Sequence, residues 1–522
     1  MRRVGPRAAW VLFCLGGCGA STSDPAESAG RAEAGAPQPD AGERPRDAEG
    51  AIAPDGATPA ADAQGTQPDE GGGADADFDG PAPALRDVAV TDADSAADAG
   101  GDGAPDAAVD AAADAAPPPA PVGFEEFDEG ALARLRTLSL AGGPPDDTSN
   151  RFAENDAAAT LGQRLFFAPT LSPRGLDCAF CHRPEGMFSS ALSYDGAGGL
   201  GFRNAPSLVG VAWQRWFFWD GRADSAWAQV SGPLEAADEL GTNRVRLARD
   251  LGAEPRLRDE YEALFGPLPD LRDSARFPAD AKPSAAPEEA ALDAAWRSME
   301  PEDQAAVNGV LANVGKALAA YERRLVGGTS AFDAFLRAVE ARDSAAAALY
   351  PEAARRGLEL FIGRAGCFAC HSGPTLSDGE FHNLGLESLE PRVPLDPGRR
   401  EGAALALADP FNALGAFSDD RAGAGARRLR ALVVDDSLEG RFRTPSVRNV
   451  ALTGPWGHDG RFRALADVVR FKSDADSVPG LGVRDPLLQP LGLTDDEVAD
   501  LVAFLESLTD APFDPALTAA PP

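Results

Sequence analysis

Two pentads decide the fold of this chain: Cys178-Ala179-Phe180-Cys181-His182 and Cys367-Phe368-Ala369-Cys370-His371. The C-x-x-C-H pattern attaches a c-type haem, because the two thiols bind the porphyrin covalently and the adjacent His becomes the proximal ligand of the iron. We therefore expect two covalently bound haem c groups, with His182 and His371 as iron ligands. The alternative is one zinc site built from both C-x-x-C pairs, but it leaves the His after each pair unexplained.

The remaining cysteines, Cys14 and Cys18, lie in an N-terminal segment that resembles a lipoprotein signal peptide. Three arginines precede the apolar run 8–15, which is too short to span a bilayer. Leu15-Gly16-Gly17-Cys18 resembles a lipobox, so we expect a signal peptide over residues 1–18 and a lipid anchor at Cys18. Ordinary signal cleavage nearby is the alternative. Either way we expect the protein in the periplasm or cell envelope, where c-type haems are attached.

Residues 19–122 are rich in Ala, Asp, Gly and Pro and contain few large apolar side chains. Such a composition cannot bury enough surface to offset chain entropy, so we predict a disordered tether. Residues 19–120 hold 22 acidic and 4 basic residues, a net of −18 within a total charge of −34. The rest of the mature chain is also acidic. Such acidity argues against nucleic acid as a partner and favours a basic redox partner; an acidic solvated surface with no partner is the alternative. We expect membrane contact only through the lipid anchor.

An internal repeat divides the globular part into two halves. A Gly-x-x-Leu-Phe segment precedes each pentad, and a Pro-Ser pair is followed fourteen residues later by Asp-Gly-Arg in each half; these segments are 162–166 and 357–361, then 206–222 and 445–461. We expect two haem domains, residues 123–300 and 301–515. In this register Trp219 stands opposite His458.

The apolar spacing is helical. One stripe runs from Val307 to Leu325, and we expect its helix to open the second domain. Thr494 and Glu497 form a capping box before a terminal amphipathic helix. The fold class predicted is mainly α: two loop-rich, class I cytochrome-c-like domains behind a disordered tether.

The sixth iron ligand separates an electron carrier, which fills both axial positions, from an enzyme, which leaves one open. Beyond the two proximal histidines only His382 and His458 remain, and Met187 and Met299 are poorly placed. We expect the iron bound by His182 to be open to a small ligand.

These residues resemble the bacterial di-haem cytochrome c peroxidases, and especially their MauG-like branch. The resemblance covers roughly residues 150–510 and rests on stretches such as LGQRLFFAPTLS, FFWDGRA, GKALAAYERRLV and RTPSVRNVALTGPWGHDGRF. It implies two packed cytochrome-c-like domains, in which the N-terminal haem meets hydrogen peroxide and the C-terminal haem passes electrons to it.

The resemblance also implies roles for single residues. Trp219 corresponds to an electron relay between the haems, and Gln229 and Glu239 to the side of the first haem where peroxide binds, with the carboxylate as general acid and base. Without the resemblance, Glu239 would be read as a surface acid and Trp219 as a core aromatic. A calcium site between the domains is implied at Asn204, Thr453 and Pro455, the last two through backbone carbonyls.

Two departures from the family pattern matter. A removable His ligand of the first haem would fall near Gly196, where none occurs, so we expect activity without prior reduction. Fourteen residues after His458, where the peroxidases have Met and the MauG-like branch has Tyr, this chain has Lys472. Lys472 as a neutral amine ligand of the second iron is one interpretation. A solvated lysine, with that iron bound by water, His382 or nothing, is the other.

The leading hypothesis is a peroxidase that reduces hydrogen peroxide at the first haem, with electrons from a small cytochrome c or cupredoxin entering through the second. The alternatives are a MauG-like oxidase or oxygenase acting on a protein or organic substrate, and a tethered di-haem electron carrier.

Overall fold

The computed structural model of the chain describes residues 127–190, 203–386 and 395–522. All of them belong to one unit of the chain, Asp110–Pro522. The predicted signal peptide with Cys18, the whole of the predicted tether and the position near Gly196 lie outside the described residues, so those expectations stay predictions. No helix of the described part is both long and apolar enough to cross a membrane.

The described residues are mostly helical, as the apolar spacing predicted. The helices before the middle of the chain are α1 (Glu129–Thr137), α2 (Asp156–Phe166), α3 (Ala226–Gln229), α4 (Ser231–Glu235), α5 (Arg244–Ala253), α6 (Pro255–Phe265), α7 (Ala290–Arg297) and α8 (Pro301–Glu322). Those that follow are α9 (Ala331–Ala341), α10 (Ser344–Ala347), α11 (Glu352–Ile362), α12 (Arg399–Ala408), α13 (Ala424–Ala431), α14 (Leu465–Asp474) and α15 (Asp495–Glu506). In these ranges the only sheet pairs β1 (Phe381–His382) with β2 (Phe442–Arg443), antiparallel.

The predicted capping box before the terminal helix is confirmed. The Thr494 side chain accepts a hydrogen bond from the Glu497 backbone N–H, and the Glu497 carboxylate accepts one from the Thr494 N–H. These two bonds satisfy amide groups that the first helical turn leaves without partners. Helix α15 begins there and buries Val498, Leu501 and Leu505.

Two large apolar clusters divide the helices. The first core joins α2, α5 and α8 around Phe166, Trp227 and Tyr321. The second core joins α1, α9, α11 and α15 around Phe332, Phe361 and Phe504. Each core therefore contains one helix that precedes a C-x-x-C-H pentad, α2 in the first and α11 in the second.

Glycine at one position of each repeat lets two helices cross closely. A Cβ on Gly162 of α2 would clash with the carbonyl oxygen of Ala317 in α8. A Cβ on Gly357 of α11 would clash in the same way with the carbonyl of Asp500 in α15. The absence of a side chain allows the backbones to touch. The pair α2–α8 is thus repeated as α11–α15.

This repeat corrects the expectation that α8 opens the second domain at residue 301. The buried residues of α8, from Val310 to Tyr321, pack in the first core, where α8 takes the place that α15 takes in the second. In the opposite direction, α1 packs its Leu135 in the second core. Local spacing identified α8 as a helix but could not indicate which pentad it covers, because that depends on contacts across about 150 residues of chain.

We predict that Gly162→Ala destabilises the haem-loaded protein by about 2 kcal/mol, the cost typical of overpacking a tight contact. The added methyl group would force α2 away from Ala317. The midpoint of chemical unfolding measures the loss. Gly142→Ala is the matched control, because a Cβ at Gly142 would have no other atom within 4 Å. Equal midpoints for the two variants would contradict the proposed crossing.

Two candidate haem cavities

The first pentad forms a short 3-10 turn, Cys178–Phe180, whose N-terminus is capped by the Asp177 carboxylate. The turn continues so that the His182 backbone N–H donates to the Cys178 carbonyl at 2.9 Å. The His182 ring donates from Nδ1 to the carbonyl of Phe188 at 3.0 Å. Phe188 has φ 54°, in the left-handed region. Because Nδ1 makes that hydrogen bond, Nε2 is the ring nitrogen available to bind a metal.

The second pentad repeats this geometry. Cys367–Ala369 form a 3-10 turn behind Gly366, which has φ 68°. The His371 Nδ1 donates to the carbonyl of Leu376 at 3.0 Å, and Leu376 has φ 50°. Both pentads therefore present their His through the same hydrogen bond to a residue in the left-handed conformation.

The residues of each pentad fit a c-type haem. Burial lowers the pKa of His182, and lowers that of His371 to about 4, so both imidazoles are neutral near pH 7, the form that binds iron. The four cysteines are free thiols, as thioether attachment requires. Each pair lines its own cavity, so the single zinc site considered as an alternative is wrong.

We call the cavity beside the first pentad the first cavity; its polar residues include Cys178, Cys181, His182, Gln229, Glu239 and Glu322. Its walls are apolar, with Phe166, Leu234 and Leu318. Gln229 ends α3, and Glu239 lies in the loop after α4, which Arg174 fixes through a hydrogen bond to the Glu239 carbonyl at 2.6 Å. The structure thus brings Gln229 and Glu239 together beside His182, as the family resemblance implied.

The surroundings of the Glu239 carboxyl favour its protonated form. Burial, and the nearby charge of Asp238, raise its pKa above the usual range, against the opposing charge of Arg222. Within the described ranges its side chain has no hydrogen-bond partner. A partly buried acid with a raised pKa holds a proton more readily than an exposed glutamate does, which suits a group that accepts and returns a proton.

No second His and no Met lines the first cavity among the residues described. Met187 is buried in the first core and hydrogen-bonds through its carbonyl to Ser207. Met299 lies in a separate cluster with Phe277 and Trp296. The described residues therefore offer no His or Met as a second axial ligand for an iron at His182.

We call the cavity beside the second pentad the second cavity; its polar and aromatic residues include Cys367, Cys370, His371, Trp219, His458 and Lys472. Lys472 lies in the last turn of α14. Its amine has no hydrogen-bond or ion-pair partner in the described part of the chain. Burial lowers the pKa of Lys472 to about 8, so the amine is still mostly protonated at pH 7 but gives up its proton far more readily than an exposed lysine does.

His382 also lines the second cavity, but both of its ring nitrogens are occupied. Nε2 lies 2.9 Å from an oxygen of Asp378, and Nδ1 lies 2.6 Å from an oxygen of Asp485. The hydrogen bond to Asp378 is the main factor that raises the pKa of His382 to about 11. Both nitrogens therefore carry protons, which argues against His382 as an iron ligand. His382, Asp378 and Cys370 lie close enough together to hold a metal ion, but Cys370 is needed for haem attachment.

Trp219 extends from the first half of the chain into the second cavity. Its Nε1–H donates to the Asn204 carbonyl at 2.7 Å, and its backbone carbonyl accepts from the Arg443 N–H at 2.8 Å. The Trp219 ring lies 6.5 Å from that of His458, which stacks on Phe442 at 3.7 Å. The repeat had paired Trp219 with His458 by register, and the structure places the two rings side by side.

Two of the three predicted calcium ligands meet directly. The Asn204 side-chain nitrogen donates to the Pro455 carbonyl at 2.6 Å, while the Asn204 Oδ1 is buried and has no partner. Thr453 lines the same cavity. An orphaned buried oxygen beside a carbonyl suits a hard cation, so the residues present fit calcium.

Sequence reasoning missed Glu322 and Phe442. Glu322 follows Leu318 by four residues, so it lies on the apolar stripe of α8, where a carboxylate is out of place. That spacing was a usable signal. Phe442 carries no such signal, because its role depends on the register of β2 with β1.

Mostly helical packing with two separate C-x-x-C-H cavities defines a di-haem c-type protein. A family model described as "Di-haem cytochrome c peroxidase" matches residues 156–341. The chain is 30% identical over 372 residues to the cytochrome-c peroxidase IdrP2 of Denitromonas iodatirespirans, covering 69% of this chain and 83% of that one. It is 29% identical over 358 residues to the methylamine utilization protein MauG of Methylorubrum extorquens, covering 67% and 78%.

Among solved structures, the diheme peroxidase BthA of Burkholderia thailandensis is similar, with a TM-score of 0.50 and 25% identity over 73% of this chain and 98% of that one. The chain belongs to the di-haem cytochrome c peroxidase family. It is an oxidoreductase of that family, whose members carry two c-type haems, and Cys178, Cys181, Cys367 and Cys370 are the residues here that would hold them.

Proposed function

We propose that this protein reduces hydrogen peroxide to water at a haem held by His182, with electrons that enter through a second haem held by His371. The observation that carries the proposal is the inequality of the two cavities. The first contains Gln229 and the acid Glu239 beside His182, whereas the second contains Lys472 and Trp219 beside His371. A haem bound in the first cavity would supply the redox-active iron, and its surroundings would supply proton transfer.

The chain's own residues would handle the protons. Reduction of peroxide needs a proton moved from one oxygen to the other so that water can leave. Glu239, with its raised pKa, would accept the first proton and return it to the departing oxygen. The Gln229 amide would donate a hydrogen bond that orients peroxide beside Glu239. The apolar wall around Leu234 and Leu318 would limit water in the cavity.

We propose that Trp219 relays electrons between the haems. It belongs to the half of the chain that holds His182, yet its ring lines the second cavity and is fixed by the hydrogen bond to Asn204. A calcium ion on Asn204, Thr453 and Pro455 would lock the same segment, because Asn204 holds both the Trp219 indole and the Pro455 carbonyl. We further propose the architecture of two cytochrome-c-like domains, one around each apolar core.

We propose that Lys472 is the sixth ligand of the second iron. The amine lies in the cavity with His371 and has no other partner among the described residues. Its position in the chain matches the Met or Tyr of related proteins. Ligation needs the neutral amine, which burial of Lys472 favours.

The electron donor proposed is a small basic cytochrome c or cupredoxin, since the chain carries a net charge of −34. We propose a location in the periplasm or cell envelope with a lipid anchor at Cys18, because haem attachment to C-x-x-C-H motifs follows export. The basic, apolar and small-residue pattern of residues 1–18 supports this location.

Glu239→Gln should lower the rate of peroxide turnover by about 100-fold, because the amide keeps the shape of the side chain but cannot exchange a proton. Steady-state peroxide reduction with reduced cytochrome c measures the change. Glu185→Gln is the control, since Glu185 is an exposed carboxylate near the same pentad. A wild-type protein with no turnover by any small donor would refute the peroxidase and favour oxidation of a partner protein's side chains.

Lys472→Ala should convert the low-spin signal of the second ferric haem to high spin in an EPR spectrum, because the sixth ligand is lost. Lys472→Met restores a side chain that can bind iron, so that variant should remain low spin with shifted g-values. Arg470→Ala, on the same helix but paired with Asp495, is the control. An Ala variant with the wild-type spectrum would rule out lysine ligation.

A further inference from the structure

Glu322 is a buried carboxyl that has no role in the proposed site so far: it is neither a proximal ligand nor one of the two residues proposed to bind peroxide. It is the last residue of α8, is 7% exposed, and lines the first cavity together with Glu239. Its charge is one of the factors that raise the pKa of the Cys178 thiol, so the carboxyl lies near the first attachment sulfur. Within the described ranges no hydrogen bond or ion pair holds the Glu322 side chain.

The cations near Glu322 along the chain are engaged elsewhere. Arg323 binds Glu154 at 2.8 Å, and Arg324 binds Asp156 at 2.7 Å. On α2, which packs along α8, Arg164 is paired with Glu260. These partners keep the three guanidinium groups away from the first cavity.

The titratable groups that line the first cavity with Glu322 are Asp177, Cys178, Cys181, His182 and Glu239, and none of them is a cation near pH 7. Asp177 and Cys178 lie on the haem-attachment turn, and Glu239 lies after α4. Tyr321 precedes Glu322 on α8 but donates its hydroxyl to the Leu517 carbonyl. Burial alone raises the pKa of Glu322 to about 8. The carboxyl is therefore protonated near pH 7 and becomes charged as the pH rises through about 8.

A buried carboxyl without a partner costs folding free energy, since an apolar side chain of similar size would avoid the loss of hydration. Glu322 therefore does not stabilise the fold through its polar atoms. Its cavity position, beside a second acid and the pentad, gives it a chemical use instead, because residues that cost stability concentrate at functional sites.

We infer that Glu322 is a second proton donor of the first cavity. The inference rests on the proposed peroxidase function. Reduction of one hydrogen peroxide breaks the O–O bond and consumes two electrons, supplied by the donor protein, and two protons, giving two waters. Glu239 moves the proton already on peroxide from one oxygen to the other, whereas Glu322 releases the two new protons in succession, one with each electron, and is reprotonated from solvent after each release.

The test compares full-length, haem-loaded wild type with Glu322→Gln and Glu322→Asp. Gln keeps the shape and neutrality of the protonated acid but cannot release a proton, and Asp restores an acid. Infrared spectra read the protonation state directly, through the carbonyl stretch of a carboxylic acid. The wild-type minus Gln difference should contain that band at pH 7 and lose it as the pH rises through about 8.

Peroxide turnover supplies the second readout. Glu322→Gln should be slower by about 100-fold below pH 8, and should lack the fall in rate that the wild type undergoes above pH 8. Glu322→Asp should recover most of the rate. Glu302→Gln, an exposed carboxylate at the other end of α8, should match the wild type.

Three results would overturn the inference: no difference band at pH 7, a Gln variant with the wild-type pH profile, or loss of haem from both Gln and Asp variants, which would indicate a structural role. A wild-type protein without peroxide turnover would refute the proposed function instead. The infrared band would still decide whether Glu322 is a protonated acid, so the two failures are distinguishable.

Discussion

The hydrogen bond from each proximal imidazole to a backbone carbonyl is the interaction on which both cavities depend. It fixes the ring of His182 against Phe188 and that of His371 against Leu376, both at 3.0 Å. Each acceptor residue is held in a left-handed conformation that costs about 1 kcal/mol or more for a side chain other than Gly. The surrounding core overcomes this cost, because Phe188 and Leu376 are fully buried in the first and second cores. The other ring nitrogen is thereby held in position to bind an iron.

Both sites hold their proximal His in the same way, so the two sites differ in the other residues that line each cavity. The first cavity gains two acids, Glu239 and Glu322, whose pKa values burial raises. The second gains an amine, Lys472, whose pKa burial lowers, together with the rings of Trp219 and His458. Desolvation favours the neutral form of all three titratable groups. Neutral acids can donate protons and a neutral amine can bind a metal, so one physical effect supports different chemistry at the two sites.

The sequence supported the local features well. The pentads, the capping box at Thr494 and the residues Gln229 and Glu239 beside His182 follow from motifs or from family resemblance, and the structure brings those residues together. The assignment of α8 failed, because an amphipathic stripe does not indicate which distant helix covers it. The sequence also did not predict that Asp378 and Asp485 hydrogen-bond to the two ring nitrogens of His382, since Asp485 is 103 residues away along the chain. Such contacts depend on tertiary packing rather than on local spacing.

The EPR spectrum of the ferric protein as isolated measures the inequality of the two cavities, because it counts both irons and reports both sixth ligands. We expect one high-spin signal from the haem at His182 and one low-spin signal from the haem at His371, in equal amounts. Two low-spin signals of equal intensity would mean that both axial positions are filled. That result would contradict an open first site and indicate an electron carrier.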